Sequence, residues 1–340
     1  MIISAKSVFS LITAWFSASC KSCAIYLALG GFAMVLSMGA YAQPVNEGVN
    51  PFMADPSVFY HKGVYYLYGT GGGNKDDGFK VFTSADRKTW KDQGYVLKKG
   101  ESFGTKGFWA PQVFQHKGMF YLAYTANEHI AIAVSDRPLG PFRQEKIAAI
   151  PSDTRMIDPF VFFNGGKIYL YHVRLQEGNR IFVAEINDDL SAIKENTLRE
   201  CISASEKWED TQNVPWKVAE GPTVLKRKGW YYLIYSANDF RNPDYAIGYA
   251  VSKTPVGPWK KYDGNPVVSR QTAGVNGTGH GDVFKDAKGK MFYVLHTHFS
   301  NEKVAPRKTA LVKISFRKKK NAPDIIVAHP ETFVFLKIKK

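Results

Sequence analysis

One short pattern occurs five times in this chain and restricts its fold more than any other feature. Each copy has an apolar pair, a short polar turn that contains Gly, and an aromatic-rich segment, which together are the signature of a β-hairpin. Another apolar segment follows each hairpin. The copies begin 48 to 63 residues apart, at Asp55, Ala110, Asp158, Gly221 and His280.

The spacing of these copies predicts an all-β fold, a five-bladed β-propeller with four-stranded antiparallel blades around a central channel. Five such blades would fill the chain from about residue 48 to about residue 320, where helical periodicity is almost absent. Two tandem β-sandwiches are the alternative, but they would not predict five copies of one hairpin in a single register. The last stretch, from Asp324, alternates like a pair of strands and has no predicted place.

The N-terminal segment has the pattern of an export signal. Lys6 and Lys21, without any acidic residue, precede an apolar run, and Ala40-Tyr41-Ala42 is a small-x-small cleavage pattern. We therefore assign residues 1–42 to a signal peptide and residues 43–340 to the propeller. This assignment predicts a periplasmic or extracellular protein after cleavage near Ala42, with no membrane span in the mature chain. A retained membrane anchor is the alternative, but the apolar run is short for a span of about 20 residues.

The chain is basic, with a formal net charge of +15 at pH 7. This charge either attracts an acidic polymer or serves solubility. Its clearest basic run, residues 317–320, is expected on a solvated turn, so no nucleic-acid partner is predicted. Two of the three cysteines fall within the signal peptide, which leaves Cys201 alone and excludes an intramolecular disulfide. A large core supplies the stability instead, and the oligomeric state has no sequence signature.

Three acidic residues share one level of the repeat. In a propeller, equivalent positions of the innermost strands surround one axis, so that residues distant in sequence face one opening. We define the register position as Asp55 and its equivalents in the other copies. This position supplies Asp55 and Asp158, and the residue before it supplies Glu220. A single Asp-Pro is typical of a turn, but three acids at one level indicate an active site, since like charges in a cleft are costly.

Paired carboxyl groups at a cleft are the equipment of glycoside hydrolysis. Asp55 is the candidate base that activates water. Glu220 is the candidate acid, because an apolar frame from Ala219 and Pro222 and a neighbouring anion would raise its pKa. Asp158 is the candidate for that anion. Acids that face each other across a channel predict a separation of roughly 6.5–9.5 Å, and hence inversion at the anomeric carbon.

The chain resembles glycoside hydrolase family 43, five-bladed propellers that remove arabinofuranosyl, xylosyl and sometimes galactosyl units from plant polysaccharides. The resemblance covers nearly all of the mature chain. It implies that Asp55, Asp158 and Glu220 are base, pKa modulator and acid. The motifs that carry it are ADPSV, FWAPQVF, MIDPFVF, AEGPTVLKRKGWYYLIYSAN and GHGDVF, which contain Asp55, Trp109, Asp158, Glu220 and His280.

Three further residues are expected to bind substrate. Trp109 is expected to stack on a sugar face, and the alternative is that it fills space between blades. Arg307 is expected to hydrogen-bond sugar hydroxyls, as an Arg of the last blade does in the family, with a solvated surface position as the alternative. The resemblance places His280 beside the channel, near a water-bound structural calcium ion. One His does not make a zinc site, and a hard cation that keeps most of its water ligands fits His280 better than zinc does. No cofactor is expected to be required.

These observations predict a secreted, inverting glycosidase that is exo-acting on α-L-arabinofuranosides or β-D-xylosides of plant polysaccharides. A β-D-galactofuranosidase, an endo-arabinanase and a non-catalytic glycan-binding propeller are the alternatives. A retaining fructosidase-type propeller would open with an Asn-Asp-Pro-Asn-like motif, where this chain has residues 54–57 as Ala-Asp-Pro-Ser. The sugar is selected by loops such as residues 71–78 and 203–216, which have no readable pattern.

Overall fold

The computed structural model describes residues 49–73 and 76–339, which form five sheets arranged in a ring. The predicted five-bladed β-propeller is confirmed. The predicted signal peptide, residues 1–42, lies outside the described residues. In the part of the chain that the structure describes, no helix has the length and apolar character needed to cross a membrane.

Within each blade, consecutive strands pair antiparallel, beginning with the strand that lines the channel. Blade 1 contains β1 (Met53–His61), β2 (Val64–Gly71), β3 (Gly78–Ser84) and β4 (Thr89–Lys98); blade 2 contains β5 (Trp109–His116), β6 (Met119–Ala126) and β7 (His129–Ser135); blade 3 contains β8 (Met156–Asn164), β9 (Lys167–Leu175), β10 (Asn179–Ile186) and β11 (Arg199–Ile202); blade 4 contains β12 (Ala219–Arg227), β13 (Trp230–Ala237), β14 (Ala246–Ser252) and β15 (Lys260–Lys261); and blade 5 contains β16 (Gly279–Lys285), β17 (Met291–Thr297), β18 (Lys308–Arg317) and β19 (Ile325–Phe335). The remaining elements are β20 (Lys337–Ile338), the short helix α1 (Arg270–Ala273), and 3-10 turns at Glu195–Thr197 and Lys207–Glu209.

Blade 2 differs from the expected four strands. Its described residues form three strands, and an isolated bridge between Val134 and Arg143 stands in the place of the fourth.

The C-terminal stretch completes the ring. β19 is the outer strand of blade 5, so the propeller continues past the boundary expected near residue 320. β20 then pairs in parallel with β4 of blade 1, with Lys337 opposite Thr89. The last segment of the chain therefore joins the last blade to the first.

Apolar and aromatic side chains fill the space between blades, because the sheet of each blade packs against a neighbouring blade. Tyr65 of blade 1 meets Phe284 of blade 5 edge to face, with ring centroids 6.0 Å apart. Tyr231 of blade 4 meets Phe162 of blade 3 in the same way at 6.2 Å. Such pairs contribute about 0.5–1.5 kcal/mol beyond their buried area. They hold neighbouring blades at the angle that directs the inner strands toward one axis.

Asn50 connects blade 1 to blade 5 at this closure. It is 3% exposed, and its Nδ2 donates to the carbonyl oxygens of Thr309 at 2.8 Å and Leu336 at 3.1 Å. Its Oδ1 accepts from the backbone N–H groups of Thr309 and Phe52, both at 2.9 Å. One buried carboxamide thus satisfies backbone groups from both ends of the described chain.

We expect Asn50→Ala to lower the free energy of unfolding by about 3 kcal/mol, since it leaves several buried backbone groups without a partner. Urea unfolding followed by tryptophan fluorescence measures this change. Asn301→Ala, in an exposed loop, is the matched control and should change stability by less than about 0.5 kcal/mol. Equal stabilities of the two variants would contradict a closing role for Asn50.

Candidate active site

A cavity of about 580 Å³ at the mouth of the channel contains every residue predicted for the site. The structure brings together acids from blades 1, 3 and 4, as expected from the repeat. A narrower space of about 30 Å³ continues from the cavity along the channel and is lined by equivalent residues of all five blades. The predicted residues on the cavity wall are Asp55, Trp109, Asp158, Glu220, His280 and Arg307.

The register position is a β-bulge in every blade. At this point each inner strand shifts its pairing with the second strand of the blade. The five residues adopt left-handed backbone conformations, with φ angles of 46° at Asp55, 46° at Ala110, 56° at Asp158, 62° at Gly221 and 35° at His280. This conformation costs about 1–2 kcal/mol for a residue with a side chain. A bulge redirects the side chains at a strand end, here toward the channel mouth.

Hydrogen bonds between blades support four of these five bulges. In each case a side chain on the second strand of one blade accepts from the backbone N–H of the next blade's register position. The pairs are Thr70 with Ala110 at 3.0 Å, Thr125 with Asp158 at 2.9 Å, Ser236 with His280 at 2.8 Å, and His296 with Asp55 at 3.1 Å. These hydrogen bonds fix the register position of each of these four blades against the second strand of the preceding blade.

Blade 3 lacks this bond, because its equivalent residue is Val173, which has no polar side chain. The backbone N–H of Gly221 instead donates to Oδ2 of Asp158 at 3.1 Å. The carboxyl group of Asp158 therefore takes the place of the missing hydroxyl. It attaches Gly221, and with it the adjacent Glu220, to the neighbouring blade.

Asp55 is surrounded by donors. Its Oδ1 lies 3.2 Å from Nη1 of Arg307 and 3.3 Å from Nδ1 of His280, while its Oδ2 accepts from the Thr70 hydroxyl at 2.6 Å. Burial alone would raise the pKa of Asp55, but Arg307, His280 and His296 together hold it well below the usual value. Asp55 is therefore ionised at neutral pH, as a base must be.

Glu220 has the opposite character. Its Oε1 accepts from the Tyr245 hydroxyl at 2.8 Å, and its Oε2 accepts from Nδ2 of Asn179 at 2.9 Å. Burial raises the pKa of Glu220 to about 7; the charge of Asp55 adds to this rise, while the hydrogen bonds from Tyr245 and Asn179 oppose it. Near neutral pH, Glu220 can hold a proton while Asp55 does not.

The charge of Asp158 differs from the expected one. We expected Asp158 to be the anion that raises the pKa of Glu220. Instead, burial and the charges of Glu220 and Asp55 raise the pKa of Asp158 itself well above its usual value. The anion beside Glu220 is Asp55. Of the three acids, Asp55 is the one whose neighbours, Arg307 above all, keep a buried carboxyl group charged.

Arg307 and Trp109 both lie on the cavity wall. Arg307 is therefore not a solvated surface residue, and Trp109 does not fill space between blades. The side chain of Arg307 is only 18% exposed, and its guanidinium lies over the ring of Phe240 at 4.7 Å as well as beside Asp55. Trp109 is 36% exposed and faces the cavity rather than an inter-blade space. Contacts of either residue with a sugar stay a prediction.

His280 lies between two of the acids. Its Nδ1 is 3.3 Å from Oδ1 of Asp55 and 3.8 Å from Oδ2 of Asp158. Burial lowers the pKa of His280, which favours the neutral ring. Within residues 49–73 and 76–339, no group of three or more His, Cys, Asp or Glu is placed to hold a metal ion. The calcium ion near His280 stays a prediction.

Five residues of the site were not found from the sequence: Thr70, Asn179, Trp216, Tyr245 and His296. Two of them had a usable signal. Thr70 and His296 lie 15 and 16 residues after the register position of their own repeats, where each hairpin returns to the channel. Asn179, Trp216 and Tyr245 lie in or beside connections that differ from blade to blade, so the repeat does not mark them.

The propeller and its unequally charged carboxyl groups define the protein as a glycosidase. The model of the family described as "Glycosyl hydrolases family 43" matches residues 41–320. This chain belongs to glycosyl hydrolase family 43, which confirms the resemblance noted from its motifs.

Similar proteins include several enzymes of this kind. A solved endo-1,4-beta-xylanase from Bacteroides thetaiotaomicron VPI-5482 is 42% identical, with a TM-score of 0.81, over 86% of this chain and 99% of that one. A beta-D-galactofuranosidase of Aspergillus niger is 22% identical over 73% of this chain and 75% of its own length. A non-reducing end alpha-L-arabinofuranosidase of Bacteroides ovatus is 25% identical over 81% of this chain, which spans about half (51%) of that enzyme.

Proposed function

We propose that the protein is an inverting, exo-acting glycosidase that releases α-L-arabinofuranosyl or β-D-xylosyl units from plant polysaccharides. The observation that carries this proposal is the pairing of an ionised Asp55 with a protonatable Glu220 on the wall of one cavity. Relatives named as arabinofuranosidases and as xylosidase/arabinosidases support the sugar classes.

In the proposed reaction, Asp55 takes a proton from a water molecule as that water attacks the anomeric carbon. Glu220 gives its proton to the glycosidic oxygen as the bond to the leaving group breaks. Asp158 orients Glu220 through the Gly221 backbone N–H. Arg307 keeps Asp55 charged and correctly placed by donating to its Oδ1, which also lies 3.3 Å from Nδ1 of His280. Attack from the face opposite the leaving group inverts the anomeric configuration.

An assay panel tests this function. We expect hydrolysis of 4-nitrophenyl α-L-arabinofuranoside or β-D-xyloside, and proton NMR of the first product should show the inverted anomer. The 4-nitrophenyl β-D-galactofuranoside tests the galactofuranosidase alternative. Retention of configuration would contradict the mechanism, and no turnover of any glycoside or polysaccharide would contradict the function.

An endo-acting enzyme is the second candidate, because the similar protein of 42% identity is named as an endo-1,4-beta-xylanase. Product sizing on xylan and linear arabinan separates the two modes. An exo-acting enzyme releases only monosaccharide from the start, whereas an endo-acting enzyme first releases a range of oligosaccharides.

Export is part of the same proposal. It rests on the small-x-small pattern at residues 40–42, and one similar protein, from Cellvibrio japonicus, is named as an extracellular exo-alpha-(1->5)-L-arabinofuranosidase. N-terminal sequencing of the protein recovered from the periplasm or the medium should begin at Gln43. Recovery of the intact N-terminus in the membrane fraction would favour the retained anchor.

A further inference from the structure

A chain of two hydrogen bonds connects a pocket loop to Glu220. The indole Nε1 of Trp216 donates to Oδ1 of Asn179 at 2.9 Å. Nδ2 of the same carboxamide donates to Oε2 of Glu220, also at 2.9 Å. All three side chains line the cavity, and Trp216 remains 45% exposed in it.

The direction of these two hydrogen bonds follows from the chemistry of the Trp216 indole. An indole N–H can only donate, so the Asn179 oxygen has to face Trp216. The NH2 group of Asn179 is thereby turned toward Glu220. Without the indole N–H, the carboxamide can rotate and present its oxygen to Glu220 instead.

The backbone holds the loop and the strand together at this point. The N–H of Asn179 donates to the carbonyl oxygen of Lys217 at 2.8 Å, next to Trp216 in the sequence. Gly178 permits this approach, since it has a φ of 122° and a side-chain Cβ there would lie 2.6 Å from the same carbonyl oxygen. The relative position of Trp216 and Asn179 is therefore set by the backbone.

The orientation of Asn179 restricts the acid. An NH2 group cannot accept a hydrogen bond, so the proton of Glu220 cannot point toward Asn179. Tyr245 faces the other oxygen of Glu220, and the nearby ionisable groups are Asp55, Asp158 and Asp239. None of these groups is hydrogen-bonded to Oε2 of Glu220 in place of Asn179.

We propose that Trp216 is a positioning residue: its indole N–H fixes the Asn179 carboxamide so that Glu220 directs its proton into the cavity, toward the leaving group. This inference rests on the proposed role of Glu220 as the acid. Trp216 itself need not touch the reacting atoms for this role.

Leaving-group dependence tests the inference, because a good leaving group needs little help from an acid. The probes are the phenyl and 2,4-dinitrophenyl glycosides of the sugar that the wild type hydrolyses. Trp216→Phe keeps an aromatic ring but removes the N–H. We expect kcat on the phenyl glycoside to fall about tenfold with little change in KM, and kcat on the dinitrophenyl glycoside to fall less than about twofold.

Trp109→Phe is the matched control, since it alters the other exposed indole of the same cavity and should affect both substrates by the same factor. A double-mutant cycle with Asn179→Ala tests whether Trp216 acts on Glu220 through Asn179. If Trp216 acts through Asn179, the double variant should lose no more activity on the phenyl glycoside than Asn179→Ala alone.

Three results separate the possible failures. Equal losses on both substrates for Trp216→Phe, or additive losses in the cycle, would overturn the role of Trp216. If Glu220→Gln shows strong leaving-group dependence while Trp216→Phe shows none, only this inference fails. If Glu220→Gln shows none either, the assignment of the acid fails and the inference fails with it.

Discussion

Asp55→Asn should lower kcat/KM by about three orders of magnitude, the largest effect expected of any substitution in this chain. A carboxamide cannot take a proton from water, and Asn has nearly the same shape as Asp. The variant can keep hydrogen bonds to Thr70 and Arg307, so the fold should be retained. Initial rates over a range of substrate concentrations measure the loss, and thermal unfolding checks the structure.

Asp188→Asn is the matched control for this substitution. The Asp188 side chain is 79% exposed and its cationic neighbour, Lys117, is 4.0 Å away. We expect its activity to equal that of the wild type. An Asp55→Asn variant that is correctly folded and within a few fold of wild-type activity would exclude Asp55 as the base.

Glu220→Gln should lower kcat/KM on the phenyl glycoside by about two to three orders of magnitude, because no proton reaches the leaving oxygen. The effect of pH gives a second readout. Burial raises the pKa of Glu220 to about 7, so the protonated, active form prevails below that pH. We expect wild-type kcat/KM to decline as the pH rises through this value, and the decline to disappear in Glu220→Gln.

Glu195→Gln, at an exposed position, is the control and should keep both the wild-type rate and its pH profile. The profile also distinguishes Glu220 from the other buried carboxyl groups of raised pKa, Asp158 and Asp282. If Glu220→Gln retains an unchanged alkaline decline, the titrating acid is Asp158 or Asp282 rather than Glu220.

Much of the site was predictable because the repeat places its acids at equivalent points. The register position inferred from hairpin alignment is the bulge residue in all five blades. The raised pKa of Glu220 also follows from its apolar neighbours in the sequence, since burial is its largest cause. The charge of Asp158 was not predictable, because it depends on which of three clustered acids receives the cationic neighbours.

Those neighbours come from distant parts of the chain. Arg307 lies 252 residues from Asp55 in sequence, and His296 lies 241 residues from it. Both reach Asp55 only because blade 5 closes against blade 1. Asn179 begins β10 and binds Glu220, and Trp216 binds Asn179 from a connection between blades. The connections beside both residues vary in length and composition between blades, so no internal repeat predicts them.

The amino-acid sequence alone determined the number of blades, the order of their strands and the three acids at the channel mouth. These features follow from hairpin patterns that are local and occur five times. Only the tertiary structure decided which acid is charged and which groups orient the others. The protonation of a buried carboxyl group depends on donors and charges within a few ångströms, and ring closure brings these together from opposite ends of the chain.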